Sequence, residues 1–302
     1  MGVAVHEGRM AFRDGETWYR VTGDLAGATP LVVLHGGPGA AHDYLDRLAE
    51  LAETGRAVIH YDQLGCGRST HFPGRGADFW TVGLFLDELD TLLAGLGIAG
   101  AYHLLGQSWG GMLAAEHAVR RPAGLRCLVI ANSPADMHVW VAEANRLRAA
   151  LPPEVAATLT RHEAAGTTDD PAYHAAVNVF YERHLCRVVP FPAEVARSLA
   201  QLEAEPTVYH TMNGPSEFHV VGTIRDWSIA GRLGAVMAPT LVLSGEHDEA
   251  TPACVAPYVA QIAGARWRVF AGCSHMPHVE DPAAYKAEVG AFLAAHDARP
   301  DH

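Results

Sequence analysis

The chain has 302 residues, 49% hydrophobic and 19% charged, which suits an ordinary folded enzyme-sized unit and excludes a disordered or collagen-like chain. A formal net charge of −12 counts against nucleic acid as a partner, because phosphate binding needs a basic surface. Cys66, Cys127, Cys186, Cys254 and Cys273 are odd in number and share no paired spacing, and neither a signal core over residues 1–13 nor a run of about 18 apolar residues occurs; free thiols, a cytoplasmic setting and no membrane are expected.

Runs at 10–12 and 17–21 flank Asp14-Gly15, a hairpin signal. The continuous apolar run 31–34 predicts a strand buried on both faces, ending in His35-Gly36-Gly37-Pro38-Gly39. A helical pattern covers 42–53. A second buried strand at 57–60 leads into Tyr61-Asp-Gln-Leu-Gly-Cys-Gly-Arg-Ser69, and residues 79–96 have helical period. Then a strand at 102–105, the turn Gly106-Gln107-Ser108-Trp109-Gly110-Gly111 and a helix over 112–119 follow in direct succession. Strand, G-x-S-x-G, helix is the context that puts a serine on a sharp, strained turn with its hydroxyl exposed. The flanking glycines avoid collision with the neighbouring strand and helix, and the helix N-terminus favours developing negative charge. Another strand is expected at 127–130.

After Asn132-Ser133-Pro134 the pattern changes. Residues 139–150, 153–165, 171–185 and 193–203 read as short helices, two of them opened by proline, and no strand run appears until 240–244 and 266–270. A last helix is expected over 282–295. Strands alternating with helices imply an α/β fold: a mostly parallel sheet with helices on both faces. Its core comprises residues 1–134 and 236–302, split by an inserted helical lid, residues 135–235.

Ligands of open parallel sheets sit at the carboxyl ends of the strands. Gly245-Glu246-His247-Asp248-Glu249 and Ala271-Gly272-Cys273-Ser274-His275 occupy such positions. The chain order Ser108, Asp248, His275 is that of a hydrolase triad: nucleophile, orienting acid, and general base. Glu246 and Glu249 are the competing acids. His278 forms a potential metal pair with His275, but without further ligands at suitable spacing no metal is expected. The amides of Gly37 and Trp109 are the candidate oxyanion donors.

His35-Gly-Gly-Pro-Gly39, Asp62-Gln-Leu-Gly-Cys-Gly-Arg-Ser69, Gly106-Gln-Ser-Trp-Gly-Gly111, Thr211-Met-Asn-Gly-Pro-Ser-Glu-Phe218, Gly245-Glu-His-Asp-Glu249 and Ser274-His275 together resemble the proline iminopeptidase family of α/β-hydrolases, in particular its tricorn-interacting aminopeptidase branch. The resemblance implies the α/β-hydrolase fold, no cofactor, and a short peptide or amino-acid amide substrate with a free N-terminal amine. It implies that Glu217 and Glu249 hold the substrate's ammonium, with Glu246 a lesser candidate. Peptidase action and amidase or esterase action on amino-acid derivatives share this machinery. A non-catalytic binding protein is the reading from another class, and the intact triad stands against it. The stretch 62–69 is expected to support the site structurally. Phe79, Trp80, Trp140, Tyr209 and Trp227 are candidate pocket walls. The preferred N-terminal residue and the oligomeric state are not legible.

Overall fold

A computed structural model describes residues 3–297. Its strands are β1 (Val5–Phe12), β2 (Gly15–Thr22), β3 (Ala28–Leu34), β4 (Arg56–Tyr61), β5 (Tyr102–Gln107), β6 (Leu125–Ala131), β7 (Thr240–Gly245) and β8 (Arg266–Phe270). They form one sheet in the order β1-β2-β4-β3-β5-β6-β7-β8. β1, β2 and β4 pair antiparallel; every pairing from β4 through β8 is parallel. The hairpin forms, but its two-residue turn is Arg13-Asp14, one residue earlier than Asp14-Gly15, because Phe12 pairs with Gly15. Arg13 carries the positive φ of 53°. Gly15 serves close packing instead: a Cβ there would lie 2.8 Å from Cβ of Thr70.

The central strands read as unbroken apolar runs because both faces are covered. Val32, Ile59, Leu104, Leu128 and Val242 face one layer, formed with α1 (Val82–Gly95), α2 (Trp109–Val119) and, later in the chain, the helix Pro252–Gln261. Leu31, Val33, Val58, Leu105, Val129 and Leu241 face the other, under the helix His42–Thr54 and the terminal helix Pro282–Ala294. The segment His42–Thr54 is helical as expected but winds as a 3-10 helix.

Between β6 and β7 lie α3 (Met137–Ala149), α4 (Pro153–Ala165), α5 (Pro171–His184), α6 (Ala193–Ala204) and α7 (Thr207–Met212). Proline opens α4 and α5, where its missing N–H has no intrahelical partner to lose. Leu159, Tyr173, Phe180 and Phe218 give this segment a cluster of its own. It is fastened to the sheet layer by ion pairs, among them Arg47–Glu194 at 2.7 Å and Arg197–Asp43. α7, α8 (Pro252–Gln261) and α9 (Pro277–Glu280), the last just before α10 (Pro282–Ala294), were not expected from periodicity. All five cysteines are free and buried. Among the described residues, no helix is long and apolar enough to cross a membrane.

Candidate active site

Ser108 sits between β5 and α2 with φ 56° and ψ −124°. Such a backbone costs a non-glycine residue about 1–3 kcal/mol and persists only where its surroundings enforce it. They do so through glycine. A Cβ on Gly106 would lie 2.0 Å from the Gly110 carbonyl oxygen, and one on Gly110 would lie 2.1 Å from that of Leu34. β5, β3 and the first turn of α2 therefore approach closely enough to force the turn. Trp109 opens α2, so no carbonyl a turn earlier occupies its N–H. Gly37 and Ser108 line the same cavity, of about 260 Å³.

The candidate acid and base, Asp248 and His275, follow β7 and β8. Nδ1 of His275 is 2.7 Å from Oδ1 of Asp248, which leaves Nε2 free to accept a proton. Asp248 is thoroughly anchored. Its Oδ1 also accepts the Ala250 N–H at 2.8 Å, and its Oδ2 accepts Nδ2 of Asn132 at 2.6 Å and the Gly245 N–H at 3.4 Å. A Cβ on Gly245 would lie 2.0 Å from the Ser274 carbonyl oxygen, so the two loops touch only because that residue is glycine. The structure thus brings Ser108, Asp248, His275, Gly37 and Trp109 to one end of the sheet. Glu246 is exposed and its carboxylate accepts the Gly272 N–H at 2.8 Å, outside the cavity. His278 is buried with Nε2 3.0 Å from the Tyr44 carbonyl oxygen.

Glu217 reaches the cavity from the segment after α7. Its main-chain carbonyl accepts Nε1–H of Trp140 at 2.7 Å, and its Oε1 accepts the Tyr209 hydroxyl at 2.7 Å. Glu249 is fully buried, and Oε1 lies 3.7 Å from Nε2 of His275. Burial pushes both carboxyls above the ordinary range; for Glu249 the nearby charges of Glu217 and then Asp248 add to it.

Of the aromatic candidates, Tyr209 lines the cavity. Trp140 stands edge-on to His275, with centroids 6.2 Å apart. Phe79 and Trp80 belong to the core cluster with α1 and α2 and do not line the cavity, and Trp227 donates to Glu116 at 2.8 Å. The stretch 62–69 braces the glycine loop. Gln63 bonds His35 twice, its N–H to Nε2 at 2.9 Å and its Nε2 to the carbonyl at 3.0 Å, and its Oε1 accepts Nε1–H of Trp109 at 2.9 Å.

Sequence reasoning passed over four supporting residues. Asn132 holds Asp248. Tyr44 accepts the Gly36 N–H at 2.7 Å and donates to Oε1 of Gln107 at 2.5 Å. Gln107 donates from Nε2 to the His275 carbonyl at 3.0 Å. His184, at the end of α5, accepts on its carbonyl the N–H groups of both Glu249 and His275, at 3.3 and 3.2 Å.

Residues 29–282 match the family model described as the alpha/beta hydrolase fold. Proline iminopeptidase of Lactobacillus helveticus is 37% identical over 294 residues, 96% of this chain and 98% of that relative. The chain belongs to the proline iminopeptidase family of α/β-hydrolases. Among solved structures, proline iminopeptidase of Mycobacterium smegmatis is 56% identical with a TM-score of 0.89, covering 96% of this chain and 98% of that one. VinJ is 54% identical with a TM-score of 0.95, covering 96% and 99%. The motifs at 35–39 and 106–111 contribute Gly37, Gln107 and Ser108 to the cavity wall, and the motif at 245–249 reaches it through the bond of Asp248 to His275.

Proposed function

We propose that this enzyme is a serine aminopeptidase that releases N-terminal proline from short peptides through an acyl-enzyme. One observation carries the reading: Glu217 lines the cavity with Ser108 and His275, Glu249 is buried with Oε1 3.7 Å from His275, and among the described residues neither carboxyl pairs with a lysine or arginine. A substrate ammonium supplies the cation. Residues 135–235 act as the lid that brings Glu217 to the core.

Ser108 Oγ attacks the carbonyl of the N-terminal residue while Nε2 of His275 takes its proton. Asp248 keeps the imidazole in the right tautomer and stabilises the imidazolium. The Gly37 and Trp109 amides receive the oxyanion. His275 returns the proton to the leaving amine, and water then attacks the acyl-enzyme by the same route. An internal peptide bond would place a neutral amide between the carboxyls, which explains why only the terminal residue is removed. The relatives' names favour peptidase over amidase or esterase action. Five unpaired cysteines support a cytoplasmic setting.

The test is hydrolysis of a proline aryl-amide. The free-amine substrate should be cleaved and its N-acetylated form should not, and Ser108→Ala should abolish turnover in a protein that remains folded. Equal rates on free and blocked substrates, or undiminished turnover in the serine variant, would refute the assignment.

A further inference from the structure

The carboxyls of the site do not stand in equal circumstances. Asp248 receives four donors, from Ala250, Asn132, Gly245 and His275. Glu217 accepts the Tyr209 hydroxyl and borders the cavity. Glu249 is fully buried, and neither of its oxygens has a hydrogen-bond partner. The ionisable groups facing it are Glu217, Asp248, His275, Tyr181 and Tyr209. No lysine or arginine is among them in the described residues. An ion kept in such surroundings without a counter-ion or donor costs several kcal/mol, and carboxylates crowded together do not all ionise.

We propose that in the empty enzyme Glu217 and Glu249 hold one proton between them, carried by Glu249, and that the substrate's ammonium displaces it to solvent. The exchange balances: the Glu249 carboxylic acid plus a free ammonium gives a carboxylate–ammonium pair plus one proton taken up by buffer. It rests on the ammonium-binding role proposed above for these two residues. The strong upward push of burial on Glu249 agrees with it.

The exchange also protects the base. A neutral acid 3.7 Å from Nε2 places no uncompensated charge beside the base while the site is empty. Once the ammonium arrives, the new carboxylate charge is matched by the cation that created it. Glu249 therefore adds negative charge beside the base only when a substrate amine is present to neutralise it.

L-prolinol has the amine but no scissile carbonyl, and its binding to the wild-type enzyme can be followed by calorimetry near neutral pH in two buffers of different ionisation enthalpy. About one proton should be released per amine bound, and the carboxylic-acid band in difference infrared spectra should vanish on binding. Glu249→Gln should bind prolinol more weakly and release none. Binding with no proton release and no loss of the band would overturn the proposal while sparing the ammonium site. Failure of the wild type to bind prolinol would overturn both. Should the variant not fold, the two wild-type measurements decide alone.

Discussion

Replacing Tyr44 by Phe removes one oxygen and keeps the ring. That oxygen accepts the N–H of Gly36 at 2.7 Å and donates to Gln107 at 2.5 Å, and both residues are buried. Without it, a buried amide loses its acceptor, at about 1–3 kcal/mol. Gly36 can recover a partner only by moving, and moving it re-aims the neighbouring Gly37 amide. Complete loss of an oxyanion donor costs about 2.7–4 kcal/mol, which sets the ceiling. Since about 1.4 kcal/mol is tenfold in rate, kcat should fall roughly 10- to 100-fold. KM should hardly change, because Glu217 and Glu249 lie on other segments. Steady-state kinetics on a proline aryl-amide, alongside a thermal melt, measures this. An unchanged kcat, or a rise in KM at constant kcat, would refute the positioning argument.

If Glu217 holds the ammonium as proposed, Glu217→Gln removes one charge-assisted contact, worth about 1.5–3 kcal/mol; kcat/KM for the free amine should drop roughly 10- to 100-fold, while any residual rate on an N-acetylated ester stays put. A matching loss on both substrates would point to general damage. Glu88 lies under β2, bonded to Thr17 and the Leu64 N–H, and burial pushes its carboxyl from 4.5 up to about 8. The folded state therefore holds a proton that the unfolded chain has released, and the stability this lends is lost as pH rises from 4.5 to about 8. Melting curves of Glu88→Gln should decline less across that window than wild type; parallel curves would show that Glu88 does not titrate there.

The parallel core was legible because its strands are buried on both faces, which leaves runs such as Leu31 to Leu34 without a polar break. The placement of the candidate triad, Ser108, Asp248 and His275, was legible because each follows a strand, and ligands of open parallel sheets sit at the strand ends. Asp14-Gly15 misled by one residue because Gly15 answers a tertiary contact with Thr70 and not the turn. α8 was missed because Pro257 inside it breaks the usual helical reading. Tyr44, Asn132 and His184 act through partners far along the chain, such as Asn132 on Asp248, so no local spacing could announce them. Gln107 stood beside the nucleophile in the motif itself, yet its bond to the His275 carbonyl exists only once β5 and the final loops meet.

The point where α3–α7 leave and rejoin the sheet has a consequence for variation. β6 and β7 are hydrogen-bonded neighbours, pairing Ala131 with Leu243, although the whole helical segment separates them in sequence. Closing such an excursion depends only logarithmically on its length; doubling it costs about 0.6 kcal/mol. The inserted helices can lengthen, shorten or be exchanged with little penalty to the sheet. Where they return to the loops of Asp248 and His275, one tie is the main-chain oxygen of His184, which any amino acid would furnish, and another is its imidazole, with Nδ1 2.9 Å from the His247 carbonyl oxygen. The segment that carries Glu217 is therefore free to vary, such ties apart, while the sheet and the loops at its strand ends stay fixed.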